Sequence, residues 1–305
     1  TRIFAESEFW LALVKVVTVV AFIILGLLAI FGLIPFHGAE SAPLFHNLTA
    51  QGWFPHGLVP IFTTMLIVNF AFSGTELIGV AAGETKDPAV NVPKAINAAI
   101  WRLLIFFVGT IVVISALLPF QVAGLGGEGV SNSPFVTVFN YIGIPYADDI
   151  MRFVIITALL SAANSGLYAA SRMMWSLSAQ RQLPQVFSRL SSSGTPVIAL
   201  VVTMFGAIPG LLSEHFAPET IFKNLLGIAA FTMVIVWMSI CWSQFNFRRA
   251  WYKAGHSAKD LKFAAPLYPI VPILGFVFCF ITGLSMAADP EMQAGFIGCL
   301  LFIAA

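Results

Sequence analysis

Long apolar runs separated by short polar intervals make up most of the chain. Seven complete runs lie at residues 9–34, 58–83, 96–120, 151–177, 197–212, 221–245 and 269–287, and an eighth begins near Gln293. Each is near the ~20 residues that a helix needs to cross hydrocarbon, with 197–212 the short one. The eighth run stops at Ala305 after only about 20 Å of helix, so the C-terminal end is expected to be cut within a span. Thr1 is not a start methionine, and the chain is expected to begin inside a longer protein. The pattern predicts an all-α integral membrane protein.

Polar residues inside these runs are the exceptions. The second run ends in Phe70–Pro88, FAFSGTELIGVAAGETKDP. Gly74, between Ser73 and Thr75, is where a membrane helix can open, and the backbone groups freed there need a ligand, water or neighbouring protein. Glu76 follows at a depth where a carboxylate costs about 2.5–3.5 kcal/mol on insertion scales, which makes it a functional candidate. The competing reading is a small-residue packing face whose carboxylate is satisfied by a neighbouring helix.

Lys15, in the first run, reads either as a lysine snorkelling to the interface or as a buried cation that protonation chemistry can neutralise. Ser161, Asn164, Ser165 and Tyr168 recur at three- and four-residue spacing and share one helix face. Such a face either lines a pathway or ties helices together. Asn224 and Gly227, with Ala229 and Ala230, offer a cavity wall in the sixth run. Between spans, residues 83–96 carry Pro88, Pro93 and mixed charge, and read as a solvated connector with a turn.

Composition agrees with the pattern. Charged residues are 10% and apolar ones 59%, with mean hydropathy +0.91. A soluble domain would carry about 25% charged residues, so that class is excluded. Placing Thr1 in the cytoplasm puts twelve of the fifteen Lys and Arg inside, from Arg2, Lys86 and Lys94 to Lys259 and Lys262. The outer loops, near 35–57, 121–150, 213–220 and 288–292, then hold no Lys or Arg. They carry Glu40, Glu128, Asp148, Asp149, Glu214, Glu219, Asp289 and Glu291. Cys241, Cys279 and Cys299 fall in apolar runs without CxxC spacing and read as buried small hydrophobes. No phosphate loop, nucleophile triad or zinc spacing occurs, so neither an enzyme nor a cofactor, metal or nucleic-acid partner is expected.

Three motifs carry a family resemblance. Phe72-Ser73-Gly74-Thr75-Glu76-Leu77-Ile78-Gly79, then Ala81-Ala82-Gly83-Glu84 and the Pro88/Pro93 segment, resembles the sixth helix and following loop of bacterial amino acid permeases. These belong to the amino acid–polyamine–organocation superfamily. Glu8-Phe9-Trp10 with Lys15 resembles the start of that family's fifth helix, and Ser161 through Ser171-Arg172 its eighth. In wording, including Asn69-Phe70-Ala71-Phe72 and Gly143-Ile144-Pro145-Tyr146-Ala147-Asp148, the chain looks most like S-methylmethionine permeases, with basic amino acid permeases next.

The resemblance implies an inverted repeat of five plus five helices with two appended, and a substrate held at the midplane between broken helices. On that map residues 1–305 form one permease domain running from helix five to part of helix twelve, with helices one to four absent. Phe72, Ser73, Gly74 and Thr75 would form the substrate-binding side of helix six. Glu76 and Lys15 would couple protons to gating. Ser161, Asn164, Ser165, Asn224 and Gly227 would line the pathway. The expected activity is proton-coupled import of an amino acid, S-methylmethionine-like or basic, across a bacterial inner or plasma membrane, with the lipid bilayer as its medium. An amino acid/amine exchanger and a non-transporting receptor on the same scaffold are the alternatives.

Overall fold

A computed structural model describes residues 2–39, 42–50, 52, 54, 57–119, 133–213, 218–288 and 293–304. The described residues form helices, turns and loops, with no strand among them. Among the described residues, five helices are long and apolar enough to cross a membrane: Glu6–Ile30, Pro88–Leu117, Ala147–Ala179, Gly227–Lys253 and Ile270–Ala287. Val17, Ile24, Ile156, Leu159, Phe278 and Leu284 on these helices are each more than half exposed. Large apolar surfaces of that kind suit a hydrocarbon solvent and not water. Of the acidic outer positions, Glu40, Glu128, Glu214, Asp289 and Glu291 lie outside the described residues.

The chain divides into two compact units, Thr1–Pro55 with Ala98–Thr203, and His56–Asn97 with Met204–Ala305. In the first, the Arg2–Ile30 helix packs on Gly109–Leu117 and on Ala147–Ala179. Gly26 makes the first of these contacts close, since a Cβ there would lie 2.2 Å from a Val113 methyl. Phe22 is fully buried, with its ring 4.6 Å from Phe135 and 5.5 Å from Phe139. Those two rings belong to a helix, Pro134–Ile142, within the stretch expected to be an outer loop. It forms because Pro134 stands in the first turn with its φ already helical, and Gly143 closes it at φ +90°. Burial of Val136, Val138 and Phe139 then holds it in the core.

In the second unit the 36-residue helix Pro218–Lys253 packs along Ile270–Ala288 and Gln293–Ala304. A Cβ at Gly275 would come within 2.9 Å of the Cys241 sulfur. Cys241, Cys279 and Cys299 are free thiols; the last two are buried, and Cys299 sits in a core with Phe231 and Met286. Near the helix end, Arg248 is only 4% exposed, with its guanidinium 5.2 Å from the rings of both Tyr252 and Tyr268.

Three expectations about element boundaries are corrected. Residues 83–96 are largely exposed and turn before Pro88, as expected, but they are not an irregular connector throughout, because a helix runs Pro88–Leu103. Pro88 begins that helix, where its missing N–H costs nothing, and Pro93 forfeits one bond near the start. The short run 197–212 divides into Val197–Phe205 and Ile208–Ser213, with Gly206 and Ala207 in a turn. The long helices also outrun their apolar cores, the sixth extending past Phe245 to Lys253. Hydropathy marks the hydrocarbon, whereas hydrogen bonding continues into water.

Candidate functional site

The second span is interrupted. Val59–Ala71 ends, and helix resumes at Leu77–Ala81, leaving residues 72–76 as an open turn. Gly74 has φ +94°, and the nearest atom that an added Cβ would meet is Leu77 Cδ1 at 4.0 Å. The need for glycine is therefore conformational and not steric. Glu76 folds back on the turn: the Gly74 N–H donates to both carboxylate oxygens, at 3.0 and 3.1 Å. Trp237, on the long helix of the same unit, donates its Nε1–H to Glu76 Oε2 at 3.2 Å. Opening a membrane helix leaves backbone groups that must find partners within the protein, and Glu76 supplies one. Phe72, Ser73, Gly74, Thr75 and Glu76 are all half-buried. The carbonyl end of Val59–Ala71 faces this turn and carries the partial negative charge of a helix C-terminus.

The first unit holds the second polar centre. Lys15 Nζ donates to Ser161 Oγ at 2.7 Å. The Ser161 hydroxyl in turn donates a short hydrogen bond to Glu8 Oε1. Ser165 Oγ donates to the same oxygen at 3.1 Å, and Asn164 Nδ2 to Glu8 Oε2 at 3.2 Å. The polar face on Ala147–Ala179 thus converges on a single carboxylate of Arg2–Ile30. Ser161 is 1% exposed, while Glu8 and Lys15 are half-buried. Tyr168, also placed on that face, lies beneath the Arg172 guanidinium at 5.8 Å.

Asn224 and Gly227 do not join the Glu76 contact. They precede Trp237 by thirteen and ten residues on one continuous helix, or about 20 and 15 Å. Two residues escaped the sequence reading. Glu8 was within reach: seven residues make almost two turns, so Glu8 and Lys15 share a helix face. Trp237 carries no such signal, because one aromatic among many in apolar runs reads as packing.

A model of the amino acid permease family matches residues 1–304. The chain belongs to that family. This permease resembles amino-acid permease RocC of Bacillus subtilis (strain 168), at 46% identity over 295 residues, 96% of this chain and 62% of that one. It also resembles amino-acid permease RocE of the same organism, at 44% over 293 residues, 96% and 62%. Lysine-specific permease LysP of Escherichia coli (strain K12) is 39% identical over 314 residues, 99% of this chain and 64% of that one. The permease chain spans about three fifths of the length of these curated relatives. Its all-helical architecture is a portion of the superfamily's transporter fold, and it is a multi-pass protein of the inner (plasma) membrane. The expected likeness to S-methylmethionine permeases in particular does not reappear in these names.

Proposed function

We propose that this permease acts within a secondary transporter that imports an amino acid, basic in class, by alternating access coupled to protons. The observation that carries the reading is the open turn at residues 72–76, where Gly74 takes a left-handed conformation and Glu76 turns back onto the freed N–H. Phe72, Ser73, Gly74 and Thr75 bind the substrate, and the carbonyl end of Val59–Ala71 receives its ammonium group. Glu76 and Lys15 carry the coupling. Protonating Glu76 replaces a charged acceptor by a neutral one and weakens its bonds to Gly74 and Trp237, which links proton occupancy to the shape of the turn. Ser161, Asn164 and Ser165 serve the Lys15 side, and Asn224 and Gly227 line the path farther along their helix. The Lys- and Arg-rich loops face the cytoplasm. The relative named a lysine-specific permease supports a basic substrate.

The test uses the full-length permease in proteoliposomes with labelled lysine and an imposed pH gradient. Saturable, stereoselective accumulation that an uncoupler collapses is expected, with basic amino acids as the strongest competitors. Accumulation that survives the uncoupler and needs internal substrate would make the protein an exchanger. Binding without uptake would make it a receptor.

A further inference from the structure

We infer that Ser161 is a hydroxyl relay and Glu8 a second proton site, so that Lys15 exchanges its proton with Glu8. This rests on the proposed coupling role of Lys15. One hydroxyl accepts from Lys15 Nζ at 2.7 Å and donates to Glu8 Oε1, which is the least geometry a proton wire requires. Ser161 itself is 1% exposed, so its hydroxyl is held by these partners and not by water. In the step, one Lys15 N–H bond breaks as a new O–H forms on Ser161. The original Ser161 O–H breaks as a new O–H forms on Glu8. Ammonium and carboxylate become amine and carboxylic acid, the serine is regenerated with its hydrogen bonds reversed, and no co-reactant is needed.

Asn164 and Ser165 also donate to the Glu8 carboxylate. All these bonds join Arg2–Ile30 to Ala147–Ala179, so movement between the two helices makes or breaks the wire, and the proton passes along it without changing the net charge of the network. Among described side chains, other titratable groups on the elements packed around it are few. They are Glu6 on its own helix, Asp148, Asp149, Arg152, Tyr168 and Arg172 on the facing helix, and Tyr141 on Pro134–Ile142. The stretch 104–117 contributes none.

The experiment compares wild type, Ser161→Ala, Ser161→Thr, Glu8→Gln and Lys15→Arg in the full-length permease, by gradient-driven accumulation and by counterflow. For Ser161→Ala the ratio of accumulation to counterflow is expected to fall about a hundredfold, the scale of a lost proton-transfer group. Ser161→Thr, which keeps the hydroxyl, restores that ratio and the pH profile. If accumulation and counterflow fall together in Ser161→Ala, or the pH profile is unmoved, the serine only holds helices and the relay is wrong. Lys15→Arg with wild-type accumulation would instead overturn the coupling reading itself. A second measurement does not depend on the serine variants. Substrate-induced infrared difference spectra of a Glu76→Gln background should show the carbonyl stretch of a protonated carboxyl, and adding Glu8→Gln should remove it; no such band, or one that persists in the double variant, overturns the inference.

Discussion

Replacing Gly74 by alanine separates the conformation of the broken helix from everything else at the site. At φ +94° an L-residue pays about 1–2 kcal/mol for its Cβ against its own backbone. Nothing else opposes the methyl group, since the nearest atom stands 4.0 Å away. Alanine also favours continuous helix over glycine by about 0.5–1 kcal/mol, and that pull closes the turn. The two terms act in one direction and together shift the balance between open and closed turn by about 1.5–3 kcal/mol, roughly ten- to a hundredfold. The full-length permease bearing Gly74→Ala should therefore lose substrate affinity by that factor while its thermal unfolding moves little. Gly79→Ala is the control: its φ is ordinary and no atom lies within 4 Å of the added carbon. Equilibrium binding of labelled substrate to purified protein reads the difference. If Gly74→Ala binds as wild type does, the left-handed turn is not the binding conformation, and the assignment of residues 72–75 to the substrate falls with it.

Glu76→Gln keeps an acceptor for Trp237 but cannot release a proton, so gradient-driven accumulation should vanish while binding persists; a wild-type pH profile of uptake would return Glu76 to a structural role. Gly26→Ala forces a methyl to 2.2 Å from Val113 and should destabilise by about 1–3 kcal/mol. Adding Val113→Ala should recover part of that loss in a thermal melt, and no recovery would place the strain elsewhere. A cysteine at Ala89 in right-side-out vesicles should resist an impermeant thiol reagent, whereas labelling equal to a Ser41 cysteine would invert the orientation. The Asp260 carboxylate is held below its ordinary range by the Ser257 backbone N–H, at 2.6 Å, and then by the Ser257 hydroxyl. The folded turn thus binds this proton less tightly than the unfolded chain. Its contribution is present above the unfolded value and lost as pH falls through the folded one, which amide exchange at Ser257 should follow.

The sequence by itself determined the class, the rough position of the apolar helices, and the family. Hydrocarbon selects for composition over ~20 residues, and composition is local. It also determined where the second helix opens, because Gly74 is the residue that tolerates left-handed backbone and Glu76 is too polar to be idle at that depth. What it left open is what those groups touch. Ser161, Asn164 and Ser165 share a face in any helix, but only packing against Arg2–Ile30 aims that face at Glu8, more than 150 positions away in the chain. Trp237 reaches Glu76 across 161 positions for the same reason. The helix at Pro134–Ile142 was likewise decided by tertiary packing. Local propensity costs there are small against the apolar surface that Val136, Val138 and Phe139 bury. A hydrogen bond between helices depends on their relative placement, which the whole core sets, and no stretch of residues encodes it alone.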